Sequence, residues 1–144
     1  MQNNSHLAVL IHEQAKKYGD REVLIYKDFG GTEWKSCSWN QFSAIVRQVS
    51  NALLNLGVKK QENVGVFSQN SAQYLFCDFG AWGVRAVTIP FYATSSEQQI
   101  QFILNDAKIR ISLSANRISM TKRTVCRLPA TPWSASSCLT VASA

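Results

Sequence analysis

The sequence predicts an α/β fold built on a partial parallel sheet, and three observations predict it. Two short apolar runs, Asn63–Ser68 and Ala86–Pro90, have the composition of buried strands, and a third strand is expected to begin at Ile109. Segments of helical periodicity separate them: one from about Ser71 to Val84, the next carrying Ile100, Ile103, Leu104 and Ala107 at i, i+3, i+4 and i+7. At this short and regular spacing, strand, helix, strand, helix, strand (βαβαβ) implies parallel strands joined by right-handed crossovers.

A helix and a β-hairpin are expected to precede that unit. Ser5–Tyr18 places Leu7, Leu10, Ile11 and Ala15 on one helical face, and Gly19 follows where a helix C-terminus is often closed. Glu22–Lys27 and Thr32–Ser38 then flank Asp28-Phe29-Gly30-Gly31, a turn composition that predicts a hairpin. Ser38-Trp39-Asn40-Gln41 has the form of a capping box, in which serine hydroxyl and glutamine side chain satisfy backbone N–H groups that have no partner inside the helix. The helix it opens carries Phe42, Ile45, Val46, Val49, Leu53 and Leu56 on one face and is ended by Gly57. Asn70, with Gln73 in the box position, is the expected cap of the next helix, and Thr94-Ser95-Ser96-Glu97 is the expected box of the last.

A chain of 144 residues, 46% hydrophobic and 10% aromatic, is long enough for one core and too apolar to stay unfolded as a whole. No apolar run reaches the length of a membrane span, and Met1–His6 lacks the basic start and apolar stretch of a signal peptide, so a cytoplasmic protein is expected. The net charge of +6 is unevenly spread: residues 1–110 hold all nine acids and eleven of the fifteen Lys and Arg, whereas 111–144 hold four basic residues and no acid. That basicity lies in the tail and not on a periodic face, so no nucleic-acid partner is expected.

Chemistry-bearing residues are sparse. Cys37, Cys77, Cys126 and Cys138 form no CxxC pair, and His6 and His12 stand six residues apart, which suits neither a zinc site nor a disulfide framework. Asp78-Phe79-Gly80 spells the DFG of protein kinases but sits inside a predicted helix without companion motifs. In a parallel sheet ligands gather beyond the carboxyl ends of the strands, which directs attention to Ser68-Gln69-Asn70 and Phe91–Ser96. Neither loop has the glycines that let a backbone wrap a phosphate, and helix capping accounts for their hydroxyls and amides. No catalytic, cofactor-binding or metal-binding residue is assigned.

Three blocks, HLAVLIHEQAKKYGDREVLIY, SWNQFSAIVRQVSNALLNLGVKKQENVGVFSQN and LFCDFGAWGVRAVTIPFYATSSEQQIQFILNDAKIR, span residues 6–110. In order and wording they resemble the opening of an AMP-forming acyl-CoA synthetase, most closely a bacterial long-chain fatty acid CoA ligase. The resemblance implies a parent reaction in two steps: ATP and a fatty acid give an acyl-adenylate and pyrophosphate, and the thiol of coenzyme A then displaces AMP, with Mg²⁺ neutralising phosphate charge. It implies fatty acid, ATP and coenzyme A as partners of the full-length enzyme, and it leaves room for peripheral membrane association and for a downstream remainder of the enzyme. The family's Ser/Thr/Gly-rich phosphate loop is expected beyond the matched blocks, and this chain has no glycine after Gly83. Residues 1–110 are accordingly expected to be a truncated N-terminal fragment of the adenylation domain, inactive alone, binding no cofactor and poorly soluble. A non-enzymatic α/β binding module, with a basic tail for anionic lipid or nucleic acid, is the alternative.

Residues 111–144 break with what precedes them. RISLSANRISMTKR could continue as a half-buried strand over Ile111–Ser114, after which periodicity and resemblance both fade. Reading the third base of each codon with the first two of the next turns Met120-Thr121 into Asp and allows apolar-Phe-Val-Gly-Glu-Gln from the preceding residues. A frameshifted, poorly ordered tail is therefore expected, and the coding DNA beyond codon 110 tests it.

Overall fold

The computed structural model describes residues 6–27, 31–92, 94–114, 125–126 and 138–140. Helix α1, Leu7–Tyr18, is capped by His6, whose Nδ1 accepts from the Ala8 N–H at 3.1 Å, and is closed by Gly19 at φ 56°. Strands β1, Glu22–Lys27, and β2, Trp34–Ser38, pair antiparallel as the expected hairpin. Strand β2 begins two residues later than predicted, because Lys27 opposite Trp34 is the last pair of the ladder. The turn at Asp28–Gly30 lies outside the described residues.

Helix α2, Trp39–Asn55, starts with the predicted capping box: Ser38 Oγ accepts from Gln41 N–H at 3.2 Å and Gln41 Oε1 accepts from Ser38 N–H at 2.8 Å. Strand β3, Asn63–Phe67, leads into α3, Ala72–Gly83, then β4, Val87–Phe91, α4, Glu97–Asp106, and β5, Ile111–Ser114. Strands β4 and β5 both pair parallel with β3. Beyond β5 the sheet continues antiparallel through β7, Cys138–Thr140, and β6, Val125–Cys126, giving the order β4-β3-β5-β7-β6. The remainder of 115–144, on which the frameshift expectation bears, lies outside the described residues.

Three local expectations are corrected. The cap of α3 is Ser71, not Asn70: Ser71 is extended, at φ −156° and ψ 163°, and its Oγ accepts from Tyr74 N–H at 3.2 Å. The box of α4 is Ser96 with Gln99, not Thr94 with Glu97, since the Ser95 N–H bonds Tyr92 O and draws Thr94 into a turn before the helix can start. Strand β5 begins at Ile111, not Ile109. Lys108 adopts a left-handed φ of 50° and Ile109 N–H returns to Leu104 O, so residues 108–110 are spent closing α4.

Strands β4 and β5 flank β3 on opposite sides, so right-handed crossovers must put α3 and α4 on opposite faces of the sheet. The side-chain alternation agrees. Val64, Ile111 and Leu113 face α2 and α3 in a cluster with Val49, Leu53 and Ala81, whereas Phe67, Ile89 and Phe91 face α4 with Ile100, Ile103 and Leu104. Burying a side chain such as Leu53 or Leu113 completely is worth about 1.5–3 kcal/mol each. Helices α2 and α3 approach so closely that a Cβ on Gly80 would lie 2.4 Å from Val49 Cγ1, and Ser50 Oγ–H donates to Gly80 O at 2.8 Å in that contact. On the other face Gly65 leaves the space that the Phe91 ring occupies, its Cε2 2.5 Å from where a Cβ would be.

A second cluster seats α1 and the hairpin on the same helices, through Ile11, Cys37, Phe42, Ile45, Val46 and Phe76. Pro90 is compatible with its strand because β4 is the edge of the sheet, where a missing N–H breaks no second ladder.

Candidate functional site at the carboxyl ends of the parallel strands

The carboxyl ends of β3, β4 and β5 lie side by side, because all three run in one direction in matched register. Two loops rise from them. After β3, the buried Ser68 donates its hydroxyl to Gln69 O at 2.7 Å and shares a 3.1 Å hydrogen bond with Ser71 Oγ, and Ser71 caps α3. After β4, the loop leading into α4 forms one wall of an open cleft of about 790 Å³, lined among others by Tyr92, Thr94, Ser95, Ser96, Phe102 and Ile103. Tyr92 and Phe102 are 80% and 69% exposed there.

The first-turn N–H of Gln99 is taken by Ser96, Glu97 places a negative charge in the same turn, and no glycine lies in either loop. The capping expectation thus accounts for Ser71 and Ser96, although Asn70 and Thr94 are not the residues that perform it. Among the described residues no three His, Cys, Asp or Glu side chains gather as a metal site would require.

The residues set aside in the sequence have local roles. His6 caps α1, and His12 shares a 2.7 Å hydrogen bond with Ser43 across the α1–α2 contact, where burial and then the charges of Arg47 and Lys16 hold its pKa down. Cys37 and Cys77 are free thiols. Cys77 is pushed up to about 12 by burial of its thiol and by neighbouring Asp78, so it is a poor nucleophile at neutral pH. The side chains of Cys126 and Cys138 lie outside the description.

Asp78 stands out. Only 7% exposed, it lies on α3 with no hydrogen-bond partner for Oδ1 among the described residues, and burial raises its pKa against the opposing pull of the Thr88 and Tyr74 hydroxyls. The DFG look-alike drew attention to it for an irrelevant reason. The useful signal is the i, i+4, i+8 series Tyr74, Asp78 and Trp82, which puts three polar-tipped side chains on one stripe of an otherwise apolar helix.

A parallel sheet with helices on both faces, an N-terminal helix-and-hairpin layer and a carboxyl edge of hydroxyl-bearing loops has the architecture found at the start of adenylate-forming enzymes. The chain belongs to the AMP-binding enzyme family, whose model matches residues 11–139. It is similar to the human long-chain-fatty-acid–CoA ligase ACSBG2, 27% identical over 110 residues that are 76% of this chain and 16% of that protein. It is equally similar, at 27% over 105 residues, to FadD15 of Mycobacterium tuberculosis, a long-chain-fatty-acid–CoA ligase of which it covers 17%. The chain therefore spans less than a fifth of the length of these relatives.

Among solved structures it resembles a long-chain-fatty-acid–CoA ligase, FadD1, from Archaeoglobus fulgidus, with a TM-score of 0.69 and 24% identity over 75% of this chain and 22% of the other. It also superimposes on the N-terminal subdomain of Klebsiella oxytoca NpsA, with a TM-score of 0.65 and 18% identity over 88% of this chain and 29% of that one. These two likenesses establish the fold.

Proposed function

We propose that the chain is a scaffold segment of an enzyme that activates long-chain fatty acids. In that reaction the carboxylate attacks the α-phosphorus of ATP, pyrophosphate leaves, and the thiol of coenzyme A displaces AMP from the acyl-adenylate. The observation that carries this reading is the family match over residues 11–139, together with 27% identity to proteins named long-chain-fatty-acid–CoA ligases. The described residues do not fit the nucleotide alone: the two helix N-termini at the carboxyl edge are occupied by their own serine caps, and no carboxylate cluster is present there to hold Mg²⁺. What they contribute is position. Strands β3, β4 and β5 fix where the loops beyond them stand, and those loops form one border of whatever is bound there.

The purified 144-residue chain is expected to release no pyrophosphate from ATP and a long-chain fatty acid above an enzyme-free blank. Acyl-dependent pyrophosphate release would refute the scaffold reading. Sequencing the coding DNA is the companion test: a Ser/Thr/Gly-rich phosphate loop is expected in the other frame beyond codon 110, and its absence would remove the frameshift explanation of the tail.

A further inference from the structure

Strand β4 is the least supported of the parallel strands. Among the described residues it is the edge, paired only with β3, and Val87 on it is 39% exposed. What ties it to the layer above is a polar seam with α3. Trp82 Nε1–H donates to Thr88 Oγ1 at 3.2 Å, and one turn away the buried carboxyl of Asp78 faces Thr88 and Tyr74 while its Oδ1 has no partner among the described residues. An ionised carboxylate can only accept, and an acceptor with no donor in an apolar contact is costly; the neutral acid carries no charge to desolvate.

We propose that Asp78 is a proton-operated lock on β4: protonated, it lets β4 seat against α3, and ionised, it makes that seam open more often. The ionisable groups facing it are Tyr74 and Cys77 on α3, with Tyr92 from the end of β4 beside Tyr74. None carries a positive charge; the Thr88 and Tyr74 hydroxyls offset part of the cost of ionisation, and burial outweighs them. The loop that follows β4 borders the cleft, so the lock couples pH to the ligand-side edge. The proposal does not depend on the enzymatic reading above.

The sign follows from linkage. The folded seam holds the proton more tightly than the open state, where the carboxyl returns to about 3.9, so closure is favoured at acid pH and weakens as pH rises through the raised value. Global unfolding cannot test this cleanly. His12, with its pKa held down, works in the opposite sense: stability is lost as pH falls below about 6.5. The experiment is therefore local: hydrogen–deuterium exchange of the peptide spanning residues 84–96 in the full chain, corrected for intrinsic exchange, from about pH 4, near the ordinary carboxylate value, up to about pH 8.

Protection there should fall as pH rises, by up to about tenfold for each unit by which the carboxyl's pKa is raised, and Asp78→Asn should abolish the dependence while keeping the seam protected. Protection that is flat with pH in the native chain overturns the proposal, as does an unchanged dependence in Asp78→Asn. If Asp78→Asn fails to fold, the ¹³C-carboxyl resonance of Asp78 in the native chain decides. A midpoint above the ordinary carboxylate range supports the lock, and one within that range overturns it.

Discussion

At the amino end of the parallel strands, residues far apart in the chain are bound together; at the carboxyl end, residues bind their immediate neighbours. Arg110, just before β5, donates from Nη1 to Leu56 O at 3.3 Å and from Nη2 to Gly57 O at 3.2 Å, and its Nε reaches Glu62 Oε1 at 3.0 Å. Glu62 in turn accepts from Lys59 N–H at 2.7 Å, so one guanidinium joins the exit of α2, the turn before β3 and the entry of β5. Asn63 Nδ2–H donates to Ala107 O at 2.8 Å, and Gln61 N–H to Arg85 O at 2.8 Å, tying in the exits of α4 and α3. At the other end the side-chain bonds of Ser68, Ser71 and Ser96 span no more than three residues. The same sheet is cross-tied at its amino edge and left to local caps at its carboxyl edge, which keeps the loops there free to adjust without unpinning the strands.

The largest effect is expected at the tied end. Arg110→Ala should cost about 1–2 kcal/mol in chemical denaturation, because three acceptors lose a charged donor. The ion pair with Glu62 is a small part of that, since the Arg110 side chain is 46% exposed and such pairs are worth about 0–1 kcal/mol. Arg110→Lys should recover only part of the loss, as a single ammonium cannot reach both carbonyls and the carboxylate in one plane. If Arg110→Ala leaves the denaturation midpoint unmoved, the amino end is not the fastening that its hydrogen bonds suggest.

Ser96→Ala should cost about 1 kcal/mol for the lost cap, but with a different distribution. Exchange should quicken in the first turn of α4 and the loop before it, while the amides of β3 and β5 keep their protection. Asn63→Ala, at about 1 kcal/mol, should instead raise exchange in β3 and at the end of α4 together. Identical exchange patterns for the two variants would erase the distinction between the ends.

The difference between the ends also explains what was legible in the sequence. Capping boxes and apolar periodicity are local, so Ser38 with Gln41, the buried face of α2 and the strand–helix alternation could be read directly. Where two local patterns competed, as Thr94-x-x-Glu97 with Ser96-x-x-Gln99, only the tertiary turn through Ser95 N–H and Tyr92 O decided between them. The contacts of Arg110 and Asn63 span 44 to 54 residues and leave no trace in any short window. Asp78 was visible as a residue but not as a buried one, because its burial depends on β4 returning beneath α3 with Thr88 in register.

The smallest prediction concerns how the tied end is closed. Helices α2, α3 and α4 exit through the same motif, with Gly57, Arg85 and Lys108 at φ 75°, 62° and 50°. The residue after each, Val58, Ala86 or Ile109, is buried and returns its N–H to Leu53, Ala81 or Leu104. Only α2 uses the glycine that this conformation favours; a side chain there carries a steric cost, partly balanced because glycine loses more entropy on folding. Lys108→Gly should therefore stabilise the fold by about 0.5 kcal/mol, read as a small rise in denaturation midpoint with unchanged slope. The Lys108 position makes the cleaner test than Arg85, whose carbonyl also receives Gln61. A loss of stability would mean that the lysine side chain contributes more to the closed end than its backbone conformation costs.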